Sequence, residues 1–186
     1  MDYYRIGKKG LIKSDPKKSN LAIQEPKRRV ILSGGSYGLN GKTLGSTRVV
    51  PFPYVLFLHR PGKPVQVFFA NELKGLDTKL YFPTLPNLYQ NRGLAGTRSP
   101  PEMCTVWMDK PITFLNQIDW FWRASFTSGN WKGYSFMLSI FRGWRGWSAY
   151  PLEDITSVKW PSLTYSSGPH TLRDVVAWNK EQGKNR

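Results

Sequence analysis

The stretch Asp77-Thr78-Lys79-Leu80-Tyr81-Phe82-Pro83-Thr84-Leu85-Pro86-Asn87-Leu88-Tyr89-Gln90-Asn91-Arg92-Gly93-Leu94-Ala95-Gly96 decides how this chain is read. A short apolar strand breaks at Pro83 and Pro86 into a loop that carries Asn87. Its counterpart lies further on, at Asn116-Gln117-Ile118-Asp119-Trp120-Phe121-Trp122-Arg123-Ala124-Ser125-Phe126-Thr127-Ser128-Gly129-Asn130. From Thr113 to Phe126, the residues Phe114, Ile118, Phe121/Trp122 and Ala124/Phe126 recur at helical spacing, with Asn116, Gln117, Asp119 and Arg123 between them. That period predicts a core-facing amphipathic helix running into a Ser-Phe-Thr-Ser-Gly loop. Its aromatic stripe reads as packing rather than as a platform for bases.

Working outward, Val49–Leu58 reads as a strand entered through Pro51 and Pro53, and Val65–Ala70 as the next strand after a Pro/Gly turn. The two predict an antiparallel hairpin that Lys79–Phe82 extends into a meander. After Pro100-Pro101 comes a short apolar run, Met103–Met108, in which Cys104 reads as a small buried residue. Gly133–Tyr150 carries Phe136, Phe141, Trp144, Trp147 and Tyr150 with Arg142 and Arg145 interleaved. As packing residues these rings close the core; if exposed, Trp144 with Arg142 and Arg145 makes a surface on which bases can stack. Thr171 and Asp174 have the spacing of a capping box and start a last helix that reaches about Gln182. Strands followed by helices predict an α+β domain: an antiparallel meander sheet with helices packed on one face.

At 186 residues, 40% hydrophobic and 15% aromatic, the chain has material for one core. Lys and Arg number 27 against 12 Asp and Glu, a net charge of +15. Residues 1–29 hold nine of the bases and three of the acids, with few large apolar residues. They predict a basic, mostly disordered arm ahead of a single domain at 30–186. The arm's Lys8, Lys9, Lys13, Lys17, Lys18, Lys27, Arg28 and Arg29 are candidate phosphate contacts, together with Arg142, Arg145 and Trp144 of the body. A surface of this sign attracts nucleic acid, acidic protein or anionic lipid without choosing among them.

Other chemistries find little footing. Gly34 to Thr43 nearly spells a phosphate-binding loop, but Ser36 stands where the pattern needs glycine, and β-branched residues and Pro51 follow where a helix must open. A hairpin loop is the better reading. One cysteine excludes an internal disulfide, and two histidines with that cysteine make no zinc site. No metal, cofactor or spaced acid–base pair is implied. No apolar run is long enough to span a membrane, and the basic N-terminus lacks a secretory apolar core, so a cytoplasmic or virion-internal protein is expected.

Several short motifs, taken in order, resemble one family. They are Val50-Pro51-Phe52-Pro53, Val67-Phe68-Phe69, Asp77-Thr78-Lys79-Leu80-Tyr81, Asn87, Trp120-Phe121-Trp122-Arg123-Ala124-Ser125-Phe126-Thr127 and Thr171-Leu172-Arg173-Asp174-Val175. Over about residues 28–178 the set is similar to the prokaryotic ubiquitin-conjugating-like family D, the B component of the PRTRC cluster of plasmids and mobile elements. The resemblance implies the fold of ubiquitin-conjugating enzymes, with a cysteine shortly after the Asn loop that accepts a ubiquitin-like C-terminus as a thioester. Here Leu94-Ala95 stands at that place, and Ser128 stands where the family has histidine. The resemblance therefore implies a non-catalytic adaptor of a plasmid, phage or other mobile-element system. Its degenerate site would comprise Asn87, Leu94, Ala95 and Ser128, and its partner a ubiquitin-like or companion protein of the same gene cluster. A displaced nucleophile at Cys104 is the enzymatic variant of this reading. The alternative is a basic viral or plasmid protein that binds DNA or RNA through the arm and the Arg/Trp segment.

Overall fold

The computed structural model describes residues 2–6, 20–33, 46–60, 62–85, 88–89, 100–103, 113–123, 125–126, 134–163 and 170–184. Its organising element is a long hairpin. β1 (Asp2–Ile6) lies parallel to β2 (Asn20–Gln24). Past Glu25 and Pro26 the chain continues as β3 (Lys27–Ser33), then returns as β4 (Ser46–Phe52) and, past Pro53, as β5 (Tyr54–His59). β3 pairs with β4 and β2 with β5, both antiparallel. The register crosses the break unshifted: Gln24 faces Val55 and Lys27 faces Phe52. Pro26 and Pro53 sit where the hairpin changes sheet, since proline fixes φ and offers no N–H to a ladder.

The inner half belongs to a six-stranded sheet with β6 (Gln66–Ala70), β7 (Leu88–Tyr89) and β8 (Glu102–Met103), in the order β1-β2-β5-β6-β8-β7. α1 (Phe114–Arg123) follows and leads into β9 (Ser125–Phe126), which pairs parallel to β3 and completes a three-stranded sheet β4-β3-β9. Thr113 caps α1: its Oγ1 accepts from the Asn116 N–H at 3.3 Å.

α2 (Tyr134–Phe141) and α3 (Trp144–Ala149) are joined through Arg142 and Gly143, both at positive φ. α4 (Leu172–Lys184) closes the fold. The Thr171 N–H donates to Asp174 Oδ2 at 3.0 Å, and the Thr171 hydroxyl donates to the same oxygen, so the carboxylate reaches back as a capping box requires.

Both faces of the large sheet are covered. Ala22, Val55, Phe57, Val67 and Phe69 meet Phe114, Ile118, Phe121, Met137, Phe141 and Trp147 of α1, α2 and α3. Leu21, Leu56, Leu58, Phe68 and Ala70 point the other way, onto Leu163 and onto Leu172 and Val175 of α4. Gln66 is fully buried, and it and Asn179 of α4 exchange two amide hydrogen bonds, of 3.2 and 2.9 Å. Trp147, also fully buried, donates its Nε1–H to the Pro51 carbonyl at 2.9 Å. Around it Phe141, Trp147 and Trp144 lie nearly parallel, at 5.0 and 5.6 Å between centroids. Gly146 passes so close to Phe141 that an added Cβ would overlap that residue's carbonyl.

The α+β class holds, with four corrections. Helices cover two faces, not one, because β5 and β6 are apolar at almost every position and bury both sides. Within the arm expected at 1–29, every described stretch is largely strand: Asp2–Ile6 pairs with β2, Leu21 and Ala22 are core residues, and Lys27, Arg28 and Arg29 belong to β3. Val49–Leu58 is two strands in two sheets. Lys79–Phe82 contributes isolated bridges, Tyr81 facing Phe69 and Ser162 and Lys79 facing Thr171, rather than a third meander strand. The segment from Gly34 to Thr43 lies outside the described residues; Ser46–Phe52 beyond it is strand, paired antiparallel with β3, and not the helix that a phosphate-binding loop opens.

Candidate functional site

β3, the end of β2 and α1 line an open cleft of about 430 Å3. β3 supplies Lys27, Arg28, Arg29 and Val30; α1 supplies Leu115, Ile118, Asp119 and Trp122; Gln24 of β2 joins them. Two features of the sequence make this arrangement. β3 carries three consecutive cations that a strand sends to alternate faces. α1 turns Ile118 and Phe121 into the core and leaves Trp122 at its margin, half-buried.

Arg29 is the centre of the site. Its guanidinium carbon lies 4.2 Å above the Trp122 ring. The Trp122 Nε1–H donates to Gln24 Oε1 at 3.0 Å, which holds the indole in place. Arg29 Nε and Nη2 are buried and have no hydrogen-bond partner among the described residues. Nη1 is the guanidinium nitrogen left outside that buried, unsatisfied set. Burial pushes the Arg29 guanidinium down to about 10, still a full cation at neutral pH. Lys27 is also lowered, first by the charge of Arg29 and then by burial.

Three other arginines among the described residues have acids, while Arg48 Nε, like Arg29, is buried without a partner there. Arg60 meets Glu102 at 3.0 Å, Arg173 meets Asp77 at 3.0 Å, and Arg123 meets Asp119 at 3.0 Å. Asp119 is the acid in the cleft lining, and its ion pair runs to Arg123, one turn along α1. A desolvated cation without a counter-charge is costly, and stacking on an indole returns only about 1–2 kcal/mol. The cleft therefore presents a ready site for an anion.

Arg28 has a different task. Its Nη1 and Nη2 donate to the carbonyls of Ser148 and Tyr150 at 2.8 and 2.7 Å. It braces β3 against the end of α3, where orphan carbonyls need donors. In the Arg/Trp segment, Arg142 and Arg145 are exposed, while Trp144 is half-buried with its ring stacked on Trp147. The rings of this segment pack the core, and its arginines stay at the surface. Lys8, Lys9, Lys13, Lys17 and Lys18 lie outside the described residues, as do Asn87, Leu94, Ala95, Ser128 and Cys104. The sequence reading sets Lys27, Arg28 and Arg29 in an unstructured arm and takes Trp122 as part of a core-packing stripe. The signal for the pairing was Trp122 itself, the large aromatic bordering the polar face of the helix.

Among the described residues no helix is long and apolar enough to cross a membrane, and no group of three or more His, Cys, Asp or Glu gathers as a metal site. Comparison with models of protein families, with curated proteins and with solved structures finds no match.

Proposed function

We propose that this protein binds nucleic acid, with the cleft between β3 and α1 as a phosphate-binding site in its body. The observation that carries the reading is Arg29: a largely buried cation stacked on Trp122, beside Lys27, with no anion of its own among the described residues. Phosphate supplies the missing charge. The net charge of +15 and the lysines at 8, 9, 13, 17 and 18 add the long-range attraction. Arg142 and Arg145, exposed beside the helix that Arg28 braces, extend the basic surface. Fluorescence anisotropy with a labelled oligonucleotide tests this. With about three phosphates neutralised, affinity should fall roughly 20- to 40-fold between about 50 and 200 mM salt. Arg29→Gln and Lys27→Gln should each weaken binding and flatten that salt slope. Binding independent of salt, or unaffected by both changes, would overturn the proposal.

A second reading is a non-catalytic adaptor with the fold of ubiquitin-conjugating enzymes. It is favoured by the β5–β6 antiparallel hairpin and by β7, which puts Leu88–Tyr89 on the edge of the large sheet, where the Asn87 segment begins. The cover on both faces of that sheet speaks against it. A thiol-reactive ubiquitin-like probe should label neither wild type nor Cys104→Ser. Labelling of wild type that is lost in Cys104→Ser would restore a catalytic thiol.

A further inference from the structure

The small sheet has an open edge. β4 ends the order β4-β3-β9, and among the described residues no strand lies beyond it. Which of its backbone groups face outward follows from Pro51. An antiparallel ladder alternates pairs that exchange two hydrogen bonds with pairs that exchange none. Pro51 has no N–H, and its carbonyl accepts from the Trp147 indole, so its pair with Arg28 is of the second kind. Counting along the register, Val30 with Val49 and Leu32 with Thr47 are of the second kind too. The N–H and C=O groups of Thr47 and Val49 therefore point away from β3, toward the open edge. Both residues are exposed, Val49 at 48%, and Val30 directly across from it is 61% exposed. Backbone groups and an apolar face thus lie open side by side, which is the makeup of an edge that takes up a further strand.

Arg48, between Thr47 and Val49, points to the opposite face. It is half-buried, and its Nε is buried without a partner among the described residues. An inward-pointing charge on an edge strand opposes pairing with its own kind. A second copy of this chain would meet that barrier. The register that uses all four outward groups sets Thr47 against Val49 of the copy, and with it the two Arg48 side chains opposite each other, on chains of +15 each. The same charge admits a strand that carries an acid at the facing position. The geometry points to the β4 edge as a docking site for an extended segment of an acidic partner protein, antiparallel to β4 and apolar–acidic–apolar in pattern. Its two apolar residues exchange hydrogen bonds with Thr47 and Val49 and lie on the outer face beside Val49 and Val30. Its carboxylate meets Arg48 on the inner face. The net charge of +15 draws an acidic chain from a distance. Peptide on the β4 edge and phosphate in the cleft between β3 and α1 occupy separate places, so neither binding event depends on the other.

The test uses the full-length protein and short labelled peptides, read by fluorescence anisotropy. The parent peptide carries Val-Glu-Val between polar residues, and a permuted one carries Val-Val-Glu. Two further versions of the parent bear N-methyl groups, on both valine amides or on the glutamate amide. In the proposed register the valine N–H groups face β4 and the glutamate N–H faces away. Methylating the valines should therefore weaken binding at least ~10-fold, and methylating the glutamate should leave it unchanged. The permuted peptide keeps the charge, loses the register and should bind several-fold more weakly. Arg48→Glu should reverse the preference toward a peptide with Val-Lys-Val. Val49→Pro removes an outward N–H without touching the ladder to β3, and should weaken the parent peptide at least ~10-fold. Equal affinity for the parent and the valine-methylated peptide overturns the proposal, and so does failure of every peptide to bind at millimolar concentration. Self-association in sedimentation that Val49→Pro abolishes would assign the edge to a second copy and overturn it as well. Because the methylated peptides are compared on wild type, the result does not depend on any variant folding.

Discussion

The Arg29 guanidinium sits 4.2 Å above the Trp122 ring, and among the described residues no carboxylate meets its buried nitrogens. A cation held this way contributes little to the stability of the fold. Replacing it with methionine keeps the aliphatic contact on the indole and removes the desolvated charge. Arg29→Met should leave the urea midpoint unchanged or raise it, while oligonucleotide affinity falls at least ~10-fold, the worth of a charge-assisted hydrogen bond of about 1.5–3 kcal/mol. A clear loss of stability would mean that the charge is compensated in the native state.

The exchange of amide hydrogen bonds between Gln66 and Asn179 ties α4 to the large sheet. Gln66 is fully buried, so removing its partner strands both ends of its amide. Asn179→Ala should cost about 1–3 kcal/mol in chemical denaturation. The double change Gln66→Leu with Asn179→Leu should recover much of that loss, since neither polar group then remains. A double variant weaker than the single one would show that the pair does more than satisfy itself.

His59 packs against the Phe114 ring at 5.3 Å, with a buried Nδ1 that lacks a partner among the described residues. Burial holds its imidazole below the ordinary histidine value. The unfolded chain therefore takes up a proton near pH 6.5 that the native state refuses until lower pH. Stability should decline as pH falls through that window, and the penalty is complete below the native value. His59→Phe removes this component. Urea midpoints compared between about pH 7.5 and 5 should fall more for wild type than for the variant. Parallel declines would assign the acid sensitivity elsewhere.

Gly146 has no room for a side chain, because a Cβ would overlap the Phe141 carbonyl. Backbone cannot yield as a flexible side chain does. Gly146→Ala should displace α3 from α2, disturb the Phe141–Trp147–Trp144 stack and cost more than about 3 kcal/mol. Near-ultraviolet circular dichroism, which reports the packed indoles, should lose amplitude. An unchanged spectrum and midpoint would show that the turn relaxes freely.

Local signals read well from this chain. The period of Phe114, Ile118 and Phe121 marked α1, and Thr171 with Asp174 marked the start of α4. The β5–β6 hairpin followed from its apolar runs and the turn between them. What the reading missed depends on distant partners. Val55-Leu56-Phe57-Leu58 and Val67-Phe68-Phe69-Ala70 are apolar without alternation, which signals burial on both faces; the one-face arrangement overlooked it. β2 and the first residues of β3 look like part of an arm because nine bases and few large apolar residues dominate 1–29, although Asn20–Gln24 itself carries no charge. A strand needs only Leu21, Ala22 and Ile31 inward when its partners provide the rest of the core. The cleft was illegible for the same reason: Arg29 and Trp122 meet only because β3 enters the fold.

The bent hairpin also bears on how the chain comes together in time. From Ser33 opposite Ser46 to Asn20 opposite His59, its pairs form a single ladder of steadily growing loops. Each added pair lengthens a loop already closed, so the entropic increment is small once the first rungs exist. Assembly can therefore zip from the outer sheet inward, past both prolines, without a register search. α4 must instead wait for Gln66 to be in place before Asn179, far along the chain, can dock. The strand that carries Arg29 would be among the first parts to take shape, and the helix that seals the opposite face among the last.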